Sequence, residues 1–412
     1  MSGKFEIMAP VGSMESLIAA IQGGADSVYF GAGNLNMRSR SSANFSVEDI
    51  AQISEICDKN NIKSYLALNT VLYDEDLPVA KEIIMKSKQA GISAVIVSDI
   101  SMITFAAQNN IDVHISTQCN ITNIETIRFY ARYANVMVLA RELTLPQIKT
   151  VAQTIDRENI TGPSGQKVKI EIFAHGALCM AVSGRCYLSL HTFNSSANRG
   201  ACYQPCRHSY KAVAVDDNFS FQVDNPYIFS PKDLCTIGFL DKISDCGVSI
   251  LKIEGRGRSP EYVKTVTECY KQAAKAIENG TYNIQKIKEW ENKLKTVYNR
   301  GFWDGYYFGR KTGEWTEISG SQATRKKIFI GKIDNYFSDI SVAQLHIETG
   351  TLQKNDEIVI QGKTTGVVEM MLQEIVVDEL TDVVANKGDD CTFKTNIPVR
   401  KGDKVYKYIK SQ

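Results

Sequence analysis

A (β/α)₈ barrel of the TIM type, carrying a cysteine-bearing insertion and followed by a small antiparallel β-barrel domain, is the fold class the sequence predicts. Three observations carry it. The first 175 residues alternate short β-branched runs with longer amphipathic segments, an eighth strand-like run arrives late at 249–254, and from Arg325 strand and turn signals follow one another closely with no helical period.

In order, the strand signals fall at 6–9, 27–31, 62–69, 94–99, 113–119, 136–141, 168–175 and 249–254. Hydroxyl side chains mark helix starts at Ser13, Ser46 and Thr144, where they can accept from exposed amides. Pro260 opens a helix at 260–278, since its missing N–H has no partner to lose in a first turn. Residues 231–242 read as a further helix, with 227–230 as a short strand ahead of it. No GxGxxG follows the first strand, so a dinucleotide-binding sheet lacks its signature.

The barrel is assigned to 1–280 and its insertion to 176–226, with hairpin strands at 208–215 and 220–223. Placed after a late strand, the insertion belongs at the C-terminal mouth, where barrel enzymes carry their chemistry. Residues 281–324 form a linking region rich in Trp, Tyr and Phe, a density that favours packing between domains over a platform for bases. Residues 325–412 form the small β domain, whose lysine-biased last stretch reads as a solvated edge.

Composition bounds the rest. The chain has 412 residues, 47 Lys+Arg against 46 Asp+Glu and a net charge of +1, which excludes a globally basic surface. No run approaches the roughly 18 apolar residues of a membrane span, and the N-terminus has no apolar leader, so the expectation is a cytoplasmic chain with no membrane partner. The unusual count is ten cysteines, five of which (Cys179, Cys186, Cys202, Cys206, Cys235) crowd into 57 residues. Reduced thiols gathered in this way read as metal ligands. Zinc favours paired C-x₂₋₄-C knuckles and remains the lesser alternative; wide, irregular spacing suits a [4Fe-4S] cluster, which needs four thiolates. Cys179, Cys186 and one of Cys202 and Cys206 are firm, and the fourth ligand is either Cys235 or the other member of the close pair.

Polar residues at the predicted strand ends supply the catalytic candidates His175, Glu254, Arg256, Gln118, Asn69 and Asp99. Arg141 and Arg258 are the candidates for holding a cofactor or other anion, because the guanidinium fork matches carboxylates and phosphates. Hydrolytic signatures are absent: there is no G-x-S-x-G elbow and no H-E-x-x-H helix, and a His175–Cys179 dyad would compete with metal ligation by Cys179.

Residues 171–189 (EIFAHGALCMAVSGRCYLS), 198–207 (NRGACYQPCR), 230–235 (SPKDLC) and 252–256 (KIEGR), with 9–13 (APVGS) and 24–31 (GADSVYFG), resemble the signature of the collagenase-like peptidase family U32. The resemblance covers essentially the whole chain. Despite the family's name, it implies oxygen-independent hydroxylation of RNA bases or the ubiquinone ring, on a [4Fe-4S] cluster held by four central cysteines. Within the family the chain resembles the bacterial tRNA hydroxylation proteins, whose action implies 5-hydroxyuridine at the wobble position of a tRNA anticodon loop and prephenate as co-substrate. The family's ligand pattern best suits Cys179, Cys186, Cys202 and Cys235; a related subfamily uses both members of the close pair, which keeps Cys206 in play. A redox partner or a paralogous family member is the expected protein partner. A U32-type peptidase and a non-catalytic iron–sulfur maturation factor are the alternatives.

Overall fold

The computed structural model describes residues 5–40, 45–182, 184–214, 219–221, 225–309, 313–381 and 383–411. Seven parallel strands come first: β1 (Glu6–Pro10), β2 (Ser27–Phe30), β3 (Lys63–Leu68), β4 (Ala94–Val97), β5 (Val113–Ile115), β6 (Val136–Val138) and β7 (Lys169–Gly176). The insertion then contributes a hairpin of β8 (Ala212–Ala214) and β9 (Phe219–Phe221), followed by β10 (Asp233–Cys235). The eighth barrel strand, β11 (Ile250–Ile253), pairs in parallel with both β7 and β1, and that double pairing closes the barrel.

Six helices separate the first seven strands: α1 (Met14–Gln22), α2 (Asp49–Lys59), α3 (Leu77–Gln89), α4 (Ile100–Gln108), α5 (Ile124–Tyr130) and α6 (Leu145–Glu158). Their starts follow local chemistry. Ser13 Oγ accepts from the Ser16 amide at 3.2 Å, and Thr144 forms a reciprocal capping box with Gln147. At Ser46 the roles invert: the Asp49 carboxylate accepts from the Ser46 amide at 2.7 Å, and α2 begins at Asp49. Beyond the barrel strands lie α7 (Leu188–Phe193), α8 (Leu240–Ser244), α9 (Pro260–Glu278) and α10 (Ile284–Leu294).

Two expectations are corrected. The segment 231–242 is not one helix, because β10 adds antiparallel to the end of β7, pairing Leu234 with Gly176 and Cys235 with His175, and only α8 is left of the helix. No strand forms at 227–230. Of the predicted hairpin strands, positions 215, 222 and 223 lie outside the described residues.

Apolar side chains on the outer face of the strands pack under the helices, and Trp290, Trp303 and Tyr307 join the same core. The inner face packs Met8, Tyr29, Tyr65 and Ile96 around the barrel axis. Among them lies a charged pair, Lys252 Nζ at 2.7 Å from Glu171 Oε1, with the other Glu171 oxygen 3.4 Å from His114 Nδ1.

The C-terminal unit is an eight-stranded antiparallel sheet with its own core of residues such as Ile333, Leu345, Ile360 and Val405. Its lysine-rich last strand, Lys404–Lys410, pairs on both sides, with Arg325–Phe337 and with Glu357–Gly362, so it is an interior strand and not a solvated edge. The unit docks on α1 and α9. Gln22 bonds the backbone of Thr365 and Val367, and Lys327 reaches Glu261 at 3.0 Å.

Burial by itself raises the Glu171 carboxyl, but Lys252 and His114 overcome it and hold it at about 2, below the ordinary 4.5. A carboxyl lowered by folding contributes stability that is complete above about 4.5 and drains away as pH falls toward about 2. Replacing Glu171→Gln leaves the Lys252 ammonium buried without a counter-charge. The expected loss is about 3–5 kcal/mol in urea unfolding at neutral pH, with a smaller difference from wild type in acid.

Candidate active site at the barrel mouth

A cavity of ≈ 400 Å³ opens at the C-terminal end of the barrel, within the size range of small-molecule sites. One wall is the insertion, and Cys179, Cys186, Cys202 and Cys206 all line it. The Leu188 amide donates to Cys186 Sγ and the Gln204 amide to Cys202 Sγ, each at 3.3 Å, which is the bonding a thiolate ligand takes from its own loop. Burial raises the Cys206 thiol to about 11 despite nearby Arg207, and raises Cys202 as well; the other cavity cysteines act on both.

Cys235 lies elsewhere. It sits on β10, paired across the ladder with His175, and is not among the cavity's lining residues; its Sγ is 4.0 Å from the Tyr270 hydroxyl, and burial pushes its thiol up to about 12. The cavity lining thus holds the close pair with Cys179 and Cys186, and Cys235 lies on a neighbouring strand.

The four cavity cysteines are the residues that could hold a metal group here. Tetrahedral zinc at about 2.3 Å from each sulfur needs sulfurs about 3.8 Å apart. Among the described residues, only Asp334, His346 and Asp390, on the C-terminal sheet, bring three ligand atoms within 4.8 Å of one another. A four-iron cube distributes its thiolates over four metals and accepts the wider spread.

The floor is cationic. Arg38, Arg141, Arg207, Arg256, Arg258 and Arg300 line the cavity with Lys252, and Glu254 is the one carboxylate among the described lining residues. Arg38 pairs with Glu254 at 2.7 Å, and the Tyr29 hydroxyl lies 3.3 Å from the other Glu254 oxygen. Burial works to raise the Glu254 carboxyl, but Arg38, Arg141 and Arg256 together hold it at about 2. Arg256 donates to Asn36 Oδ1 at 3.0 Å, and Arg141 donates to the Ala177 carbonyl at 3.0 Å while stacking on Phe173. Burial lowers both guanidinium pKa values, and the Nε of each is buried without a hydrogen-bond partner. Gly31 permits this crowding, because a Cβ there would lie 2.4 Å from the Asn36 side chain and 2.7 Å from Arg256.

The third wall is amide-bearing. Asn69 Nδ2 donates to Ser116 Oγ at 3.2 Å and its Oδ1 accepts from the Met37 amide, while Ser116 Oγ donates to Gln118 Oε1 at 2.8 Å. Of the sequence candidates, Asn69, Gln118, Arg141, Glu254, Arg256 and Arg258 thus meet at one cavity. Asp99 does not: it caps α4 by accepting from the Ser101 amide at 2.9 Å and lies off the cavity lining. His175 does not either. It is buried beside Tyr270, Tyr262 and Phe302, and burial, helped by Arg258, lowers its imidazole to about 3, so it is neutral at physiological pH.

Sequence reasoning missed Lys252, Asn36, Arg207 and Arg300. Lys252 and Glu171 carried a signal, since both are charged residues at inward positions of strands that read as buried.

A closed barrel with a cysteine-walled, arginine-floored mouth defines the class of protein. The chain belongs to peptidase family U32, whose model matches residues 12–317. It is 53% identical over 99% of both chains to a protein of Porphyromonas gingivalis named collagenase. It is 31% identical to tRNA hydroxylation protein P1 of Bacillus subtilis, over 86% of this chain and 83% of that one. It is also 35% identical to a 23S rRNA 5-hydroxycytidine synthase of Escherichia coli, over 67% of this chain and 40% of that one. Among the described residues no helix is long and apolar enough to cross a membrane.

Ligand assignment is tested by iron and sulfide analysis after anaerobic purification. If the cavity thiols hold an iron–sulfur group, Cys206→Ser is expected to lower iron well below the wild-type content and Cys235→Ser to leave it unchanged; the reverse result would assign the fourth ligand to Cys235.

Proposed function

We propose that this chain hydroxylates an RNA base, forming 5-hydroxyuridine at the wobble position of tRNA, with a [4Fe-4S] cluster on Cys179, Cys186, Cys202 and Cys206 and an anionic co-substrate of the prephenate type. The observation that carries the reading is the opposition, across one cavity, of four cysteines and a buried arginine floor with two unpartnered Nε groups. A cluster held there supplies one-electron chemistry.

The chain's own residues do the remaining work. Arg141 and Arg256 present buried donors that a carboxylate would satisfy, and Glu254, kept ionised, fixes Arg38 beside them. Asn69, Ser116 and Gln118 form a bonded polar wall, and Phe173 and Tyr29 also line the space a flipped base would enter. An anticodon loop gives up such a base at little cost because it is already single-stranded. Hydroxylation at C5 removes an electron pair from the base, and the oxygen donor or a redox partner, such as a paralogous family member, would accept it.

The name of the 53% identical relative keeps a peptidase as the second reading. Cysteine or serine hydrolysis needs a base within about 3 Å of its nucleophile, and no histidine is among the described lining residues. A maturation factor with a structural cluster would not require the convergent polar floor.

Nucleoside analysis of tRNA from cells lacking this chain tests the reading: 5-hydroxyuridine and its derivatives are expected to fall, and to stay low on complementation with Cys179→Ser. An unchanged pool, with no second hydroxylating enzyme present, would sink it. Arg256→Lys keeps the charge and loses the fork. It is expected to raise the KM for the anionic co-substrate roughly 10- to 100-fold with iron content unchanged.

A further inference from the structure

The outer surface of the insertion has a composition that the cavity does not explain. From Gly176 to Lys211 there is no Asp or Glu; Arg207 belongs to the cavity floor and Arg199 pairs with Asp76, while Arg185 and Lys211 are exposed. The loop after β2, which bonds the insertion through the Arg40 amide and the Gly200 carbonyl, adds the exposed Arg40. Arg40, Arg185 and Lys211 thus stand outside the cavity with no acidic residue of the insertion to balance them.

The same face exposes aromatic rings. Tyr187 is 72% exposed, Phe193 43% and Tyr203 42%. Tyr187 and Phe193 stand at the two ends of the short helix α7, about 9 Å apart along its axis. Phe193 and Tyr203 lie against one another, with ring centroids 5.1 Å apart, and the Arg40 guanidinium stacks on Tyr203 at 3.7 Å. Tyrosine and phenylalanine left in water beside guanidinium groups contribute little to a monomer's stability. They are the chemistry by which single-stranded nucleic acid is held, bases on rings and phosphates on cations.

These rings are also held in place by the cavity wall. Tyr187 directly follows Cys186 and Tyr203 directly follows Cys202, and the Tyr203 amide donates to Ser189 Oγ at 3.0 Å, tying the two segments together. A platform fixed this way presents its faces at a set distance from the cavity.

The geometry points to a single-stranded RNA subsite on this face: Tyr187 and the Phe193–Tyr203 pair stack bases flanking the one that enters the cavity, and Arg40 and Arg185 meet the backbone. The inference rests on the RNA reading above and adds where the flanking nucleotides lie and that they must be unpaired.

The test is fluorescence anisotropy with the full-length, iron-loaded protein. The probes are a labelled anticodon stem–loop, the same strand annealed to its complement, and a labelled gelatin peptide. Tyr187→Ala and Tyr203→Ala are each expected to weaken stem–loop binding by about 5- to 150-fold with iron content unchanged, Tyr187→Phe to retain it, and the duplex to bind more weakly than the stem–loop. If wild type binds the stem–loop and both alanine variants bind it equally well, the subsite is overturned and the RNA reading stands. If wild type does not bind the stem–loop, or binds the gelatin peptide in its place, both fall.

Discussion

The site depends on one ion pair with unequal sides. Glu254 is a single buried carboxylate facing Arg38, Arg141 and Arg256, and its ionised form is what makes three guanidinium groups tolerable in so small a space. Neutralising it would leave mutually repelling cations with little water to screen them; adding a second anion would complete the balance. Among the described lining residues the cations outnumber this one carboxylate, and Cys179 lies near enough to act on Arg38 and Arg141 as well. Asn36, Tyr29 and Gly31 serve this arrangement by directing Arg256, bonding Glu254 and leaving room for both.

Much of the barrel was legible because a buried parallel strand has to be a short apolar, β-branched run and its helix an amphipathic one. All eight barrel strands fall within the predicted runs to a residue or so at their starts. The segment after the insertion was not legible. Pro231-Lys-Asp-Leu-Cys has an acceptable helix start, and nothing local reveals that the end of β7 offers an unsatisfied edge where it can pair antiparallel. The lysine-rich last strand was misread for a related reason: the lysine side chains announce solvent, but the backbone on either side of them is fully paired.

The site divided along similar lines. Residue type and position at a strand end brought Asn69, Gln118, Arg141, Glu254 and Arg256 to the cavity, since strand ends of a barrel converge by geometry. Asp99 also ends a predicted strand, but there the local claim of a helix amide on a carboxylate outweighed the mouth. His175, one residue from the end of β7, is buried where β10 pairs, and its neighbour across the ladder, Cys235, is partly buried. Spacing along the chain could not separate Cys206 from Cys235, because loop length does not report where a strand places its side chains; the structure puts Cys206 in the cavity lining and Cys235 on β10 near Tyr270.

The seam at which the barrel closes is β11 against β7, and its ladder slips by one residue between Lys252 and Ile253, so that Ile253 meets His175 rather than Ala174. The irregularity gives the end of β11 a different twist as Glu254 leaves for the cavity. The two partners are separated in sequence by the whole insertion, so their pairing is a long-range contact. Before it forms, Glu171 has no Lys252 and the arginine floor has no Glu254. Lys252 and Glu254 come to the cavity with β11, so the closed barrel and the binding site share one seam.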